Sequence, residues 1–263
     1  MGLLDGKVAV IAGAGPGLGR EVARAFGREG ATVVVAARTE DRVKALAAEV
    51  NKETGATTRA LRLDITDGES CAALAEQVTG EFGGIDVLVN NAFHTGDFAL
   101  FAEADFDRWR KVMDVNLFGT LRVTQAALPG LRARAGGRVI LVNSMSAVRA
   151  QPRFGAYTAT KGALGAVAKV LAVELGAEGI RVNAVHPGYI WGDDVAAYFQ
   201  YLAAEKQITP EEQYREVADE AALRYLPDAE EIAGAVVFLA SDLSRAMTGQ
   251  ALGVNGGHWF QGF

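Results

Sequence analysis

The sequence predicts an α/β domain built on a doubly wound parallel sheet of about seven strands with helices on both faces. Short apolar runs alternate with longer helical patterns along the whole chain, the rhythm of strand and crossover helix. The runs are near-continuous in Val, Ile, Leu and Ala, as strands covered on both faces require. The length of 263 residues fits one such unit, because α/β folds of ~250 residues commonly form a single domain.

Taken in order, the strand-like runs are KVAVIAG from Lys7, TVVVAA from Thr32, RALRLD from Arg59, IDVLVNNA from Ile85, RVILVNS from Arg138 and RVNAVHP from Arg181. No repeat, low-complexity tract or linker divides the chain, so residues 1–263 read as one domain. The segment at about 188–227 leaves the βα rhythm, with two helical stretches and many aromatics before a helix that begins near Asp228. Within it Thr209-Pro210-Glu211-Glu212 reads as a capping box with proline at the first helical position. An excursion of this length is expected to be a substrate lid.

Composition excludes several classes of function. The net charge of −6 provides no basic field for nucleic-acid phosphates. No run reaches the ~18 consecutive apolar residues of a membrane span. The lone Cys71 cannot form an internal disulfide, and the N-terminus runs straight into a strand pattern rather than through a signal segment. A soluble protein in the cytoplasm, with no membrane or nucleic-acid partner, is the expectation.

The first run leads into GAGPGLG and then a helical pattern. Glycine at Gly13, Gly17 and Gly19 allows positive φ and close backbone approach to a pyrophosphate, and a helix N-terminus adds a favourable dipole. The second strand ends Ala36-Ala37-Arg38, where the ribose of a dinucleotide belongs. Ala37 cannot accept from a 2′-hydroxyl, whereas Arg38 can pair with a 2′-phosphate, which favours NADP(H) over NAD(H). The alternative is a solvated arginine opening the next helix. Asp64, at the tip of the third run, suits either an acceptor for the adenine amino group or a cap for the following helix.

Tyr157 and Lys161 stand four apart in AYTATKGAL, one helical turn, so phenol and ammonium face the same space. An amphipathic helix produces the same spacing without chemistry. Ser144 changes the reading, because it stands at the tip of RVILVNS, on the strand edge that faces the ligand crevice. A neighbouring ammonium is expected to lower the phenol from its usual ~10 and make it a usable proton donor and acceptor. The Ser144 hydroxyl can hold a substrate oxygen, and Asn116 in MDVNLFG can steady a water linking the lysine to solvent.

GAGPGLG, LVNNA, the Asn116 segment, NS at Ser144, YTATK and HPG, in this order and at these spacings, resemble the short-chain dehydrogenase/reductase family over essentially the whole chain. The resemblance implies a single Rossmann-fold domain, with TGQALGVNGG as the last strand. It implies hydride transfer between nicotinamide and a carbonyl or alcohol carbon. It makes Tyr157 the acid/base, Lys161 its tuner and ribose ligand, Ser144 the holder of the substrate oxygen and Asn116 the relay anchor. Cofactor contacts are implied for Gly13, Gly17, Leu18 and Gly19 at the turn, and for Arg38, Asp64 and Ile65 at the adenosine end. Nearer the nicotinamide they are implied for Asn91, Ala92, Tyr157, Lys161, Pro187, Gly188 and Ile190. A homotetramer or homodimer follows the same resemblance, joined through the helix of Tyr157 and the one before it. The chain departs from the family pattern at Ala12, Phe93 and Gly192, where threonine, glycine, and threonine or serine are usual. None of these removes a reacting group.

Phe93, His94, Met145, Val148, Gln151, Tyr189 and Trp191 lie just beyond strand tips and are mostly apolar, which suits a hydrophobic ketone or aldehyde and its alcohol; each also reads as ordinary packing. Three scattered histidines and one cysteine carry no metal-ligand spacing. His186 reads as a structural hydrogen-bonder and His94 as a possible substrate contact. Tyr198, Phe199 and Tyr201 suit either a lid or a subunit contact, and the apolar tail with Trp259, Phe260 and Phe263 suits docking across a subunit boundary. Besides an NADP(H)-dependent oxidoreductase, an NAD-linked dehydrogenase and a non-catalytic nucleotide-binding sensor fit parts of this pattern.

Overall fold

The computed structural model describes residues 2–260. Seven strands form one sheet: β1 (Val8–Ala12), β2 (Thr32–Ala37), β3 (Thr58–Arg62), β4 (Val87–Asn90), β5 (Arg138–Val142), β6 (Arg181–Pro187) and β7 (Ala251–Val254). Their order is β3-β2-β1-β4-β5-β6-β7, and every neighbouring pair is parallel. Successive strands step one way from β1 to β3 and the other way from β4 onward. The reversal lies between β1 and β4, where Ala12 pairs with Asn90, and it opens a crevice at the C-terminal strand ends.

Both faces of the sheet are covered, which is why central strands such as β1 (VAVIA) and β2 (TVVVAA) are apolar almost throughout, whereas the edge strand β3 (TRALR) carries two exposed arginines. Ala9 and Ile11 of β1 face helices α1 (Leu18–Arg28), α2 (Glu40–Thr54) and α9 (Ala229–Ala240), packing with Val22, Phe26, Val50 and Val236. Val8, Val10 and Ala12 face α3 (Gly68–Phe82), α5 (Thr120–Arg132) and α6 (Gly155–Gly176), packing with Leu74, Val123, Leu131 and Leu164. Alternate residues of one strand thus serve two separate cores.

The excursion at 188–227 contains α7 (Asp193–Lys206) and α8 (Pro210–Ala218), as its helical stretches suggest. The expected capping box forms: Thr209 Oγ1 accepts from the Glu212 amide at 3.2 Å, and Glu212 Oε2 accepts from the Thr209 amide at 2.8 Å. A second capping box, Asp228 with Glu231, starts α9. The segment has a small core of its own, Phe199, Ala218 and Leu226 with Tyr189, Tyr198 and Tyr214, apart from the two cores of the sheet.

One element has no counterpart in the sequence pattern. Between α4 (Phe106–Met113) and α5 the helix widens into a single π turn, Asp114–Gly119. Thr120 and Thr124 hydroxyls bond back to the carbonyls of Asn116 and Thr120 at 2.9 and 2.7 Å, a habit that bends helices. The turn carries Asn116, in keeping with the tendency of such turns to occur at functional sites.

Candidate active site

The chain leaving β1 curls over β2, with the amides of Gly13 and Ala14 both donating to Ala36 O at 2.8 and 3.0 Å. Gly13 has φ 93°, and a Cβ there would lie 2.3 Å from the Ala92 amide nitrogen, so this glycine answers to β4 rather than to a ligand. Gly17 differs: its φ is 77°, yet a Cβ would meet nothing within 4 Å. It opens α1 with no side-chain cap, so the first amides of that helix keep their free donors. Asn91 Nδ2 secures the turn by donating to Gly13 O at 2.7 Å, and Leu18 and Gly19 follow in the first turn of α1.

A cleft of about 350 Å³ begins here, bounded by Gly15, Arg38, Asp64, Ile65, Ala92 and Phe93. An open glycine cradle, an uncapped helix N-terminus and a long crevice fit a dinucleotide pyrophosphate. Arg38 is exposed at the lip. Asp64 Oδ1 accepts from the Thr66 amide and hydroxyl at 3.0 and 2.7 Å, and these bonds, with Arg38 and Arg62 nearby, hold its carboxyl below the usual range. The cap of α3 is Asp67, not Asp64, because the Glu69 amide reaches the later carboxylate at 2.9 Å. Of the two readings of Asp64, the helix cap is therefore ruled out.

Ser144 stands two residues beyond β5, its Oγ accepting from the Ser146 amide at 3.1 Å. Tyr157 lies in the first turn of α6 and Lys161 one turn later; Lys161 is buried. Asn143 Nδ2 fastens α6 to the strand end through Lys161 O at 3.2 Å. Ser144, Tyr157 and Lys161 therefore converge, as their spacing suggests, at the C-terminal edge of β5.

The electrostatics of this group overturn one expectation. Burial pushes the Tyr157 phenol up to about 12, opposed only by a hydrogen bond from Ser144. Lys161 is not among the causes of this shift; its Nζ donates to Val142 O at 2.8 Å and sits 5.6 Å from the ring centroid. Burial also lowers Lys161 itself, from 10.5 to about 7. His186 is driven to about 4 by burial and then by the Lys161 charge, so its imidazole is neutral at physiological pH.

Asn116 is buried, but its side chain is committed to protein groups. Its Oδ1 accepts from the His94 amide at 2.7 Å, and its Nδ2 donates to His94 O at 2.9 Å and Thr160 Oγ1 at 3.1 Å. Both amide hydrogens are spent, so the side chain anchors the loop after β4 and cannot donate to a water. His94 turns its Nδ1 back on the Gly96 amide at 2.8 Å, leaving only Nε2 for a ligand.

The substrate-side residues divide. Met145 is buried beside Gly188, Val148 is exposed, and Phe93 is exposed at the cleft rim. Gln151 Nε2 donates to the Tyr189 hydroxyl at 3.3 Å. Trp191 stays exposed at the edge of the excursion, its ring 4.6 Å from that of Tyr214, and its backbone bridges Asp228. Pro187 ends β6, and Ile190 packs on the sheet core. Missing from the sequence reading are Phe154, whose ring lies 6.4 Å from Tyr157, and Phe98, 4.8 Å from Phe154 and 5.9 Å from Tyr198 of α7. Phe154 precedes Tyr157 by three residues, a spacing that signals a shared face. Phe98 gives no such signal, since it arrives from another loop. Phe263 lies outside the described residues. Among the described residues no cluster of three metal-ligating side chains occurs, and no helix is long and apolar enough to cross a membrane.

A parallel sheet with its crevice at the strand reversal and a serine, tyrosine and lysine beside it defines a dinucleotide-dependent oxidoreductase. Residues 13–258 match the family described as Enoyl-(Acyl carrier protein) reductase. The chain is 35% identical over 259 residues to the 3-oxoacyl-[acyl-carrier-protein] reductase of Thermotoga maritima, covering 97% of this chain and 98% of that one. It superposes on L-sorbose reductase from Gluconobacter frateurii, complexed with NADPH and L-sorbose, with a TM-score of 0.91, 34% identity and 98% of each chain covered. It superposes on an NAD+-bound xylitol dehydrogenase with a TM-score of 0.89, 29% identity, and 97% and 99% covered. The chain belongs to the short-chain dehydrogenase/reductase family, whose enzymes act on alcohol and carbonyl groups with NAD(P).

The buried lysine has a thermodynamic signature. Between about pH 7 and 10.5 the unfolded chain keeps the Lys161 proton while the folded, cofactor-free protein has released it, so unfolding takes up a proton. Lysine thus contributes a rise in stability with pH across this window. Urea unfolding at several pH values should show that rise in the native protein and a flatter curve in Lys161→Met; parallel curves would refute the discharged lysine.

Proposed function

We propose that the protein is an NADP(H)-dependent oxidoreductase that interconverts a hydrophobic ketone or aldehyde and its alcohol, with Tyr157 as the acid/base. The observation that carries the reading is the convergence of Ser144, Tyr157 and Lys161 beyond the C-terminal end of β5, on the same edge of the sheet as the glycine-bounded cleft. The chemistry that the cofactor supplies, when bound, is hydride transfer at the carbonyl carbon.

The chain's own residues do the rest. The Ser144 hydroxyl holds the carbonyl oxygen next to the Tyr157 phenol, which donates its proton as that oxygen gains charge and takes it back in the oxidation direction. Lys161 has three donors, and among the described residues its ammonium meets one acceptor, Val142 O. Ribose hydroxyls brought to the remaining donors favour the charged lysine, and a charged lysine favours phenolate. Asn116 acts by fixing the His94 loop along the cofactor groove. Gly17, Leu18 and Gly19 cradle the pyrophosphate, with Gly13 letting the turn close against Ala92; Asp64 and Ile65 flank the adenine, and Asn91, Ala92, Pro187, Gly188 and Ile190 line the nicotinamide half.

Arg38 at the cleft lip, with Ala37 rather than an acid beside it, supports NADP(H) through pairing with the 2′-phosphate. The two neighbours differ in nucleotide, one with NADPH and one with NAD+, so the charge at this lip carries the preference. A run of rings from Tyr157 through Phe154 and Phe98 to Tyr198 supports an apolar substrate and a lid function for α7 and α8, which excludes water from the reacting carbon. Exposed Phe118 in the π turn that leads into α5, with exposed Val170 and Val173 on α6, supports a homodimer or homotetramer joined through these helices.

With NADPH and a panel of apolar ketones, Tyr157→Phe should lower kcat by about 10²-fold or more while cofactor affinity stays within about twofold. Undiminished turnover would exclude the phenol, and binding without consumption by the native protein would favour a nucleotide sensor. Arg38→Ala should raise the KM for NADPH on the order of tenfold and leave that for NADH unchanged, since one charge-assisted contact is lost. Equal effects on both nucleotides would show that Arg38 does not read the phosphate.

A further inference from the structure

Three segments far apart in the chain meet beside Tyr189 and Gln151. Arg149 follows the short helical turn after β5, Glu220 lies just past α8, and His258 lies on the arm after β7. Arg149 Nη2 donates to Glu220 Oε2 at 2.6 Å, and His258 Nε2 lies 3.1 Å from the same oxygen. The His258 side chain is only 2% exposed, whereas that of Glu220 is 53% exposed. The two partners hold the Glu220 carboxyl below its usual range, Arg149 most strongly.

The buried imidazole reaches further. Its ring packs 6.1 Å from that of Tyr189, which also packs 5.4 Å from Phe199 of α7. The Tyr189 hydroxyl accepts from Gln151, two residues beyond Arg149. A closed circuit results, Arg149 to Glu220 to His258 to Tyr189 to Gln151 and back along the chain. It ties the loop carrying Gln151 and Phe154 to the lid and to the C-terminal arm. A half-exposed ion pair stabilises a fold little, so stability is a poor account of this arrangement. A ring withdrawn from water and held to a carboxylate is a costly way to close a surface, but a stiff way to fix an aromatic neighbour.

We infer that His258, Glu220 and Arg149 are positioning residues that set the Tyr189–Gln151 wall of the substrate cavity. The C-terminal arm is thereby a specificity element of the reaction proposed above, on which this inference rests. His258 touches neither the reacting oxygen nor the cofactor cleft; it acts through the Tyr189 ring.

The test compares full-length native protein, His258→Ala, His258→Gln and Glu220→Ala, using NADPH and acetophenone. His258→Ala and Glu220→Ala should each lower kcat/KM about tenfold, mainly through KM, with NADPH affinity unchanged. His258→Gln, which keeps an N–H for the carboxylate, should recover most of the loss, and the double alanine variant should be no worse than either single one. An unchanged KM, a parallel loss of NADPH affinity, or glutamine no better than alanine would overturn the inference. Hydrogen exchange needs no turnover and separates this outcome from failure of the oxidoreductase reading. Amides of 149–154 and 189–199 should exchange faster in His258→Ala while those of α1 do not; uniform or absent change would equally overturn the clasp.

Discussion

A lysine buried beneath the edge of a parallel sheet is the constraint on which this site depends. Lys161 is placed there by α6, which packs Leu164, Ala168 and Ala172 against the sheet and leaves its first turns under the strand ends. Its ammonium cannot reach bulk water, and it finds Val142 O. A charge in that position is expensive unless other oxygens arrive, so burial pulls the lysine toward neutrality and the neighbouring phenol toward staying protonated. The site is built to respond to hydroxyls delivered in the cleft. In the function proposed above, acidity at Tyr157 is therefore a property of the loaded protein rather than of the helix alone.

The surroundings of the pair are rigid for separable reasons. Gly13 lets the tips of β1 and β4 touch, and Asn91 ties them. The π turn at Asp114–Gly119 delivers Asn116 to the backbone of His94, which stiffens the loop that would otherwise hang free over the crevice. On the opposite side the 188–227 segment has a core of its own and approaches the site through aromatic contacts, Phe98 to Tyr198 and Tyr189 to Phe199. Polar anchoring on the cofactor side and aromatic packing on the substrate side suit a fixed ligand and a movable wall.

Much of this was legible in the sequence. Strands covered on both faces leave long apolar runs, so all seven strands, counting the one that the family resemblance supplied, lie where the pattern puts them. Local signals such as Thr209 with Glu212 and the four-residue spacing of Tyr157 and Lys161 also survive into three dimensions. What stayed hidden depends on direction or on distant segments. Spacing places an ammonium near a phenol but does not say that Nζ turns to Val142 O, nor that burial drives Tyr157 up where a fall was expected. Asp64 and Asp67 both look like caps, and only the backbone decides in favour of the second. Phe98 with Phe154, and Arg149 with Glu220 and His258, join pieces that no local periodicity connects.

The most direct measurement of the central claim is the ionisation of Tyr157 itself, followed by near-ultraviolet phenolate absorbance as the difference between native protein and Tyr157→Phe, without and with oxidised cofactor. The free protein should show the Tyr157 increment only near pH 12, and cofactor should move it well downward in native protein but not in Lys161→Met. An increment that ignores the cofactor, or shifts equally without the lysine, would contradict the account.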